Sequence, residues 1–417
     1  MRVLWVVNII LPQIAIELNL SGTFSGGWID SMRQQLCKNN NIQLSIAARG
    51  PVEKVEKRTI ENIDYYVFPS AKNSKYDISK ENCKTILQEA NPDILHIEGT
   101  EFAHACTFLQ NFKGKNLVVL QGIIKGCDKY QYGNIEIDDL ILSLSPQSWI
   151  IGWSMLIRKK FIFRPRIKQE VRTISLATNL MGRTRWDRAH SHWINPEAQY
   201  FNCPRILREP FYKMKWSEKD MELHSIFIGN SYSALKGAHF VLRAVALLKN
   251  EYPDIKIYIA GEPPYQEEKN FQLKKLVGYS AYLKRLIRKL KLEKNIKFLG
   301  NLDAYNMAKT MCTCNLYVLS SAIENSPNTL GEAMIMGVPC IAAFVGGIQD
   351  MAIDNEEVLF YRNDDAEMLA WTIKNVFDHK EVTLERTKKA RIHAEITHNR
   401  IYNASLLLDA YSTIINK

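Results

Sequence analysis

The stretch Ser320–Gly347, SSAIENSPNTLGEAMIMGVPCIAAFVGG, reads as the end of a strand, a loop, a short helix and the next strand. Ser326 or Asn328 suits the helix N-cap, Pro327 its first turn, and Gly337 with Pro339 its stop. Glu324 and Glu332 flank the helix start, where a buried acid costs several kcal/mol unless something binds it. The exposed first-turn amides and the positive dipole end form an anion site suited to a diphosphate. A carboxylate accepts from paired hydroxyls, so Glu332 suits a ribose and Glu324 a sugar hydroxyl. Alone, each acid reads more readily as a solvated surface residue, because glutamate is mostly exposed. Beside a marked helix start and PCIAAFVGGIQD, the pair describes a nucleotide-sugar seat.

Outward from this stretch the second half of the chain keeps one rhythm. HSIFIGN leads to the helix KGAHFVLRAVALLKN, then IKIYIAGE, a long basic helix through about Leu290, IKFLG, the helix DAYNMAKTMC, and LYVLSS. This alternation predicts a parallel sheet with helices on both faces. In the first half VLWVV (3–7), IQLSIAA (42–48), ILHIEG (94–99) and LVVLQG (117–122) are the short apolar runs of a second buried parallel sheet. KRTIENIDYYVFP (57–69) alternates like a hairpin, and SGGWIDSMRQQLCKNN (25–40) reads as the first helix. The fold class is therefore α/β, with two doubly wound units joined near EPFYKMKWSEKDMEL (209–223) around a central cleft. The loops near Gly26 and Lys236 are expected to face that cleft.

Composition sets the class. The chain has 417 residues, 46% apolar, enough for two packed domains. Its formal charge of +10 favours an anionic partner. A nucleic-acid partner is disfavoured, because no recognition motif with interleaved aromatics is present and the glutamates repel phosphates. The eight cysteines are dispersed, without Cys-x-x-Cys spacing, which argues against a zinc site or a disulfide scaffold and for a reducing cytosol. MRVLWVVNIILPQ reads as a strand, since a signal peptide needs a small-residue cleavage site. Leu140–Ile157 carries no charge, but Ser143, Ser145, Pro146, Gln147, Ser148 and Gly152 dilute it below a span. Trp149 and Trp153 beside the basic RKKFIFRPRIK suit the plane of an anionic membrane surface, giving an expected peripheral contact through 140–168.

The block Glu324, Glu332, Gly337, Pro339, Gly346 and Gly347 resembles the donor-binding signature of the retaining glycosyltransferases of family four, including bacterial surface-polysaccharide members. SIFIGNSYSALKG is similar to that family's first strand and loop of the carboxyl-terminal domain, and SGTFSGGWIDSM to its first amino-terminal loop. PDILHIEGTE and the stretch 182–212 resemble further parts. The resemblance implies the two-domain GT-B fold: 1–208 as the acceptor-side domain, 209–223 as linker, and 224–398 as the nucleotide-sugar-binding domain. Residues 399–417 form a last helix that can pack back on the first domain.

The resemblance further implies sugar transfer from a nucleoside diphosphate sugar to a hydroxyl of a glycan or lipid-linked oligosaccharide in surface polysaccharide synthesis. It implies no cofactor and no metal, with Lys236 and helix-dipole charge in the metal's place. Lys236 and Glu324 are then the catalytic candidates, and Gly26, Gly27, Lys236, Glu324, Asn328, Thr329, Leu330 and Glu332 the donor-binding ones. Gln121 and His104 are candidates for acceptor or sugar contacts. Two positions depart from the family pattern. Asn230 stands where an arginine is common, with Arg183, Arg185 and Arg188 as candidate substitutes, and Gln121 stands where a histidine is common. A nucleotide-sugar epimerase of the same fold and an idle nucleotide-sugar-binding module are the rival readings. The expected location is the cytoplasm, at the inner face of a membrane.

Overall fold

The run VLWVV lies within β1 (Arg2–Val7), buried from Val3 onward because it sits between two parallel neighbours. The computed structural model describes residues 1–20, 27–72, 74, 76–136, 157, 159–261, 263 and 278–417. Its contacts group into two units, Met1–Gly126 with Phe161–Ile206 and His398–Lys417, and Cys127–Lys160 with Leu207–Thr397.

The first unit holds β1, β2 (Gln43–Arg49), β3 (Glu56–Ile60), β4 (Ile63–Phe68), β5 (Ile94–Glu98), β6 (Lys115–Val119), β7 (Asn179–Gly182) and β8 (Gln199–Asn202). Their order is β3-β4-β2-β1-β5-β6-β7-β8. All pairs are parallel except the β3/β4 hairpin, which turns at Glu61 and Asn62, both left-handed. The chain leaves β1 on one side toward β2 and later enters β5 on the other, so the switch point lies between β1 and β5. The first strand ends at Val7 instead of continuing to Gln13, because Pro12 opens a short helix, Pro12–Glu17. The last helix, Arg400–Ile415, belongs to this unit and buries Leu407, Tyr411 and Ile414 in its core. Asn399 caps it by accepting from the Tyr402 amide, which separates it from the Lys380–Thr397 helix of the second unit.

The second unit orders its strands β11-β10-β9-β12-β13-β14, with β9 (Glu222–Ile228), β10 (Lys256–Ile259), β11 (Ile296–Phe298), β12 (Cys314–Leu319), β13 (Cys340–Ala343) and β14 (Leu359–Tyr361). All are parallel, and the switch point lies between β9 and β12. The sequence leads to two corrections here. Residues 209–223, expected as a linker, fold into this unit: Phe211 is fully buried, and Trp216 donates from Nε1 to the Cys314 carbonyl at 2.8 Å. Two buried aromatics anchor a segment that a free linker would leave in water. Residues 127–160 are grouped with the second unit although they precede β7.

Of the expected membrane-facing segment, 140–156 and 158 lie outside the described residues. Lys159–Phe163 forms a π-helical turn leading into the Arg164–Leu176 helix, with the Phe161 and Ile162 side chains exposed. Among the described residues no helix is long and apolar enough to cross a membrane.

Candidate functional site

The loops after β9 and β12 meet at the second unit's switch point. After β9 the chain makes one 3-10 turn, Ala234–Lys236, and enters the Ala238–Leu248 helix through Gly237. Gly237 has φ +70°, and a Cβ there would lie 1.8 Å from the Ser320 carbonyl oxygen, so only glycine lets the two loops touch. The Ala322 amide donates to the Leu235 carbonyl at 2.7 Å, and Ser320 Oγ donates to the Lys236 carbonyl at 2.9 Å.

Across this seam Lys236 Nζ donates to Glu324 Oε1 at 2.5 Å, and Ser321 Oγ donates to the same oxygen at 2.7 Å. Burial works against the charge on Lys236, but the adjacent Glu324 carboxylate outweighs it and the lysine pKa is raised. Glu324 is pinned by its backbone. The Gly347 amide donates to its carbonyl, and Gly346, at φ +53°, would place a Cβ 1.9 Å from that oxygen. The Gly-Gly turn read from the sequence thus serves to hold Glu324.

The helix runs Asn328–Met336 and ends on left-handed Gly337. Pro327 is its N-cap and not its first-turn residue, and no side chain caps it, because Pro327 offers none that can accept a hydrogen bond. The first-turn amides of Asn328 and Thr329 are therefore without a side-chain acceptor of the capping kind. Thr329 Oγ1 accepts from the buried Tyr317 hydroxyl at 2.8 Å. Leu330 is fully buried and can contribute only its backbone. Asn230 follows β9, and its Oδ1 is buried with no hydrogen-bond partner.

Glu332, expected to hold ribose hydroxyls, has no accessible surface, and Arg208 donates to both of its oxygens. A ribose reaches Glu332 only by displacing that guanidinium. Sequence reasoning missed Arg208, though a signal was present. An acid inside LGEAMIM, apolar on all sides, demands a buried cation.

The first unit gathers polar groups at its own switch point. Asn8, after β1, donates from Nδ2 to Glu101 Oε2 at 2.8 Å, and the Gly122 amide donates to Glu101 Oε1 at 3.1 Å. Burial raises the Glu101 pKa despite these bonds. Fully buried Glu170 accepts from the Ile124 and Lys125 amides and from Thr100 Oγ1, and burial pushes its pKa up to about 7. Gln121 Nε2 lies 3.3 Å from Glu98 Oε2. Burial opposes ionisation of Glu98, yet the bidentate Arg205 guanidinium and the His96 ring hold it well below the usual carboxylate range. Asn8, Glu101 and Glu170 were not read from the sequence, because nothing local marks the loop residues Asn8 and Glu101 as paired or the helical acid Glu170 as buried.

The other expected site residues are dispersed. Gly26 lies outside the described residues, while Gly27 opens the Gly27–Leu36 helix. His104 is not a helix-surface histidine. It is buried between Phe68 and Phe102, with no partner for either ring nitrogen. Of the candidate substitutes for the missing arginine, Arg183 donates to the Leu120 and Gln121 carbonyls, and Arg188 lies over the Tyr200 ring.

Residues 209–393 match the family model described as Glycosyl transferases group 1. Among curated proteins, the chain is 30% identical over 155 residues to the N-acetyl-alpha-D-glucosaminyl L-malate synthase of Bacillus anthracis, covering 37% of this chain and 35% of that protein. It is 24% identical over 192 residues to Protein CapJ of Staphylococcus aureus, covering 45% and 44%. The chain spans 35%, 22% and 34% of the length of the first curated relatives it matches. Among solved structures, sucrose-phosphate synthase from Thermosynechococcus elongatus superposes with a TM-score of 0.72 at 15% identity, over 99% of both chains. HepE of Anabaena, solved with UDP-glucose, superposes with a TM-score of 0.70 at 14% identity, over 99% of this chain and 100% of that one. The fold is GT-B, and residues 209–393 are a glycosyltransferase group 1 domain.

Proposed function

We propose that the protein is a retaining glycosyltransferase. In this reading it moves a sugar from a nucleoside diphosphate sugar to a hydroxyl of a glycan or lipid-linked oligosaccharide in surface polysaccharide synthesis. The observation that carries the reading is Lys236 held against Glu324 at the β9/β12 switch point, in loops that lead to an uncapped helix start. HepE, a neighbour in fold, was solved with UDP-glucose, which supports a nucleotide sugar as donor.

Before the donor binds, Glu324 keeps Lys236 charged and oriented. A diphosphate recruits Lys236 and the Asn328 and Thr329 amides, while a sugar hydroxyl donates to Glu324. As the bond from the anomeric carbon to the diphosphate oxygen breaks, negative charge grows on the leaving group, where these donors stabilise it. The acceptor oxygen attacks the same face, and its proton passes to the leaving phosphate, so no side-chain base is required. Gly27, as a glycine, lets the backbone approach a phosphate closely. In the first unit, Gln121 and Glu101 offer hydrogen-bonding groups for a sugar or acceptor hydroxyl. Phe161 and Ile162, exposed beside the basic run, are the described part of a contact with the inner face of an anionic membrane.

A panel of UDP-, GDP- and ADP-sugars, scored by thermal stabilisation and by nucleoside diphosphate release with a membrane lipid extract, tests this. One sugar nucleotide is expected to stabilise the protein and to turn over. A blank across the panel, or a Glu324→Ala protein with unchanged kinetics, overturns the reading. Sedimentation with anionic vesicles, abolished by deleting the basic run, is the expected membrane result, and no sedimentation refutes that part.

A further inference from the structure

Residues 127–136 lie between β6 and β7 in the sequence but pack in the second unit, against the turn that carries Lys236. Here Gly133 and Asn134 are consecutive left-handed residues, with φ of 58° and 56°. The Gly133 amide donates to the Tyr130 carbonyl, and the Ile135 amide to the Tyr132 carbonyl. A Cβ on Gly133 would lie 2.1 Å from the Ala234 carbonyl oxygen and 3.0 Å from the His239 ring. The contact is therefore backbone on backbone. It is fastened on both sides: Ile135 enters the core beside Ala234 and Ala238, and Asn134 Nδ2 donates to Asn363 Oδ1 at 3.0 Å.

His239 fixes the contact chemically. Its ring is fully buried, with Nε2 3.0 Å from the Gly133 carbonyl oxygen and Nδ1 3.1 Å from the Tyr279 hydroxyl. A carbonyl only accepts, so Nε2 carries the proton and Nδ1 accepts from Tyr279. Burial pushes the His239 pKa down to about 3, so this arrangement does not titrate near neutrality. On its other side the same Ala234–Lys236 turn meets Ser320 and Ala322. The short turn is thus held between two backbones.

We propose that Gly133 and His239 are positioning residues for Lys236: they seat the 130–135 turn on Ala234 and so fix the turn from which Lys236 reaches Glu324 and a donor diphosphate. This rests on the donor-site reading above.

The test measures binding of UDP, GDP, ADP, the matching nucleosides and inorganic pyrophosphate to wild type, Gly133→Ala, His239→Phe and His239→Gln. Misplacing a positioned charge by about 1 Å costs up to about a hundredfold. Gly133→Ala is therefore expected to weaken binding of the preferred diphosphate at least about tenfold, with little change for its nucleoside. His239→Phe is expected to do the same, and His239→Gln to restore part of the affinity, because its amide again donates to the Gly133 carbonyl. In a Lys236→Ala background the Gly133→Ala loss is expected to vanish, since its effect passes through that lysine.

Equal losses for nucleoside and diphosphate, or full additivity with Lys236→Ala, reveal a purely structural role and overturn the proposal. If Gly133→Ala does not fold, the Phe and Gln variants decide alone. Wild type that binds a diphosphate, with Gly133→Ala binding it equally, overturns only this proposal. Wild type that binds no diphosphate overturns the donor-site reading and this proposal with it.

Discussion

Arg208 donates to Glu332 through both Nε and Nη2, at 2.7 Å each, and the carboxylate it meets has no accessible surface. The guanidinium also lies over the Phe211 ring and against Met307 Sδ. Removing one member of a buried pair leaves the other charge uncompensated, at about 3–5 kcal/mol. Arg208→Ala and Glu332→Ala are therefore each expected to lose that much in urea unfolding. The double replacement Arg208→Met with Glu332→Leu is expected to recover most of it, because no unpaired charge remains.

Gly346 is the cheapest place to disturb Glu324 without touching its carboxylate. Left-handed backbone costs an alanine about 1–2 kcal/mol, and its Cβ would also fall 1.9 Å from the Glu324 carbonyl oxygen. Gly346→Ala is expected to lower both the melting temperature and sugar transfer, whereas Gly278→Ala, also left-handed at φ +73° but with open space around its Cβ, is expected to show only the backbone cost in stability and unchanged sugar transfer. Paired melting curves and turnover assays check the contrast.

Glu170 gives stability a pH slope. Its folded pKa is raised to about 7, above the ordinary 4.5, chiefly because burial disfavours the charged form. The folded protein then binds more protons than the unfolded chain between these values, so stability falls as pH rises through that window. The full difference is about 3 kcal/mol. Urea titrations from pH 5 to 8 are expected to show the decline, and Glu170→Gln to flatten it.

His104 acts at the other end of the scale. Burial pushes its pKa down to about 4, with Arg49 adding repulsion. The unfolded chain binds the proton first, so stability present above pH 6.5 is lost as pH falls toward 4. His104→Leu, which leaves no buried ring nitrogen unpartnered, is expected to resist acid better than wild type and to keep its neutral-pH activity. A loss of activity with an unchanged fold refutes the purely structural role.

Much of the fold was legible, because its elements are coded locally. Apolar runs such as VLWVV and LYVLSS and the hairpin 56–68 announced themselves by period and turn chemistry. The β7, β8 and β14 strands did not: they are only three or four residues long, and their neighbours in the sheets create them. At the site, Lys236, Glu324 and the Gly346–Gly347 turn were legible as a pattern, and the structure brings them together.

What the sequence alone determined was therefore the alternation of most strands and helices and the stop of the Asn328–Met336 helix at Gly337. Only the tertiary structure decided that Glu332 is committed to Arg208, 124 residues away in the chain, that His104 is buried, and that residues 127–136 brace the turn carrying Lys236. Helix and strand periods are set by near neighbours along the chain. Burial and charge pairing are set by which distant segments the packed sheets bring into contact.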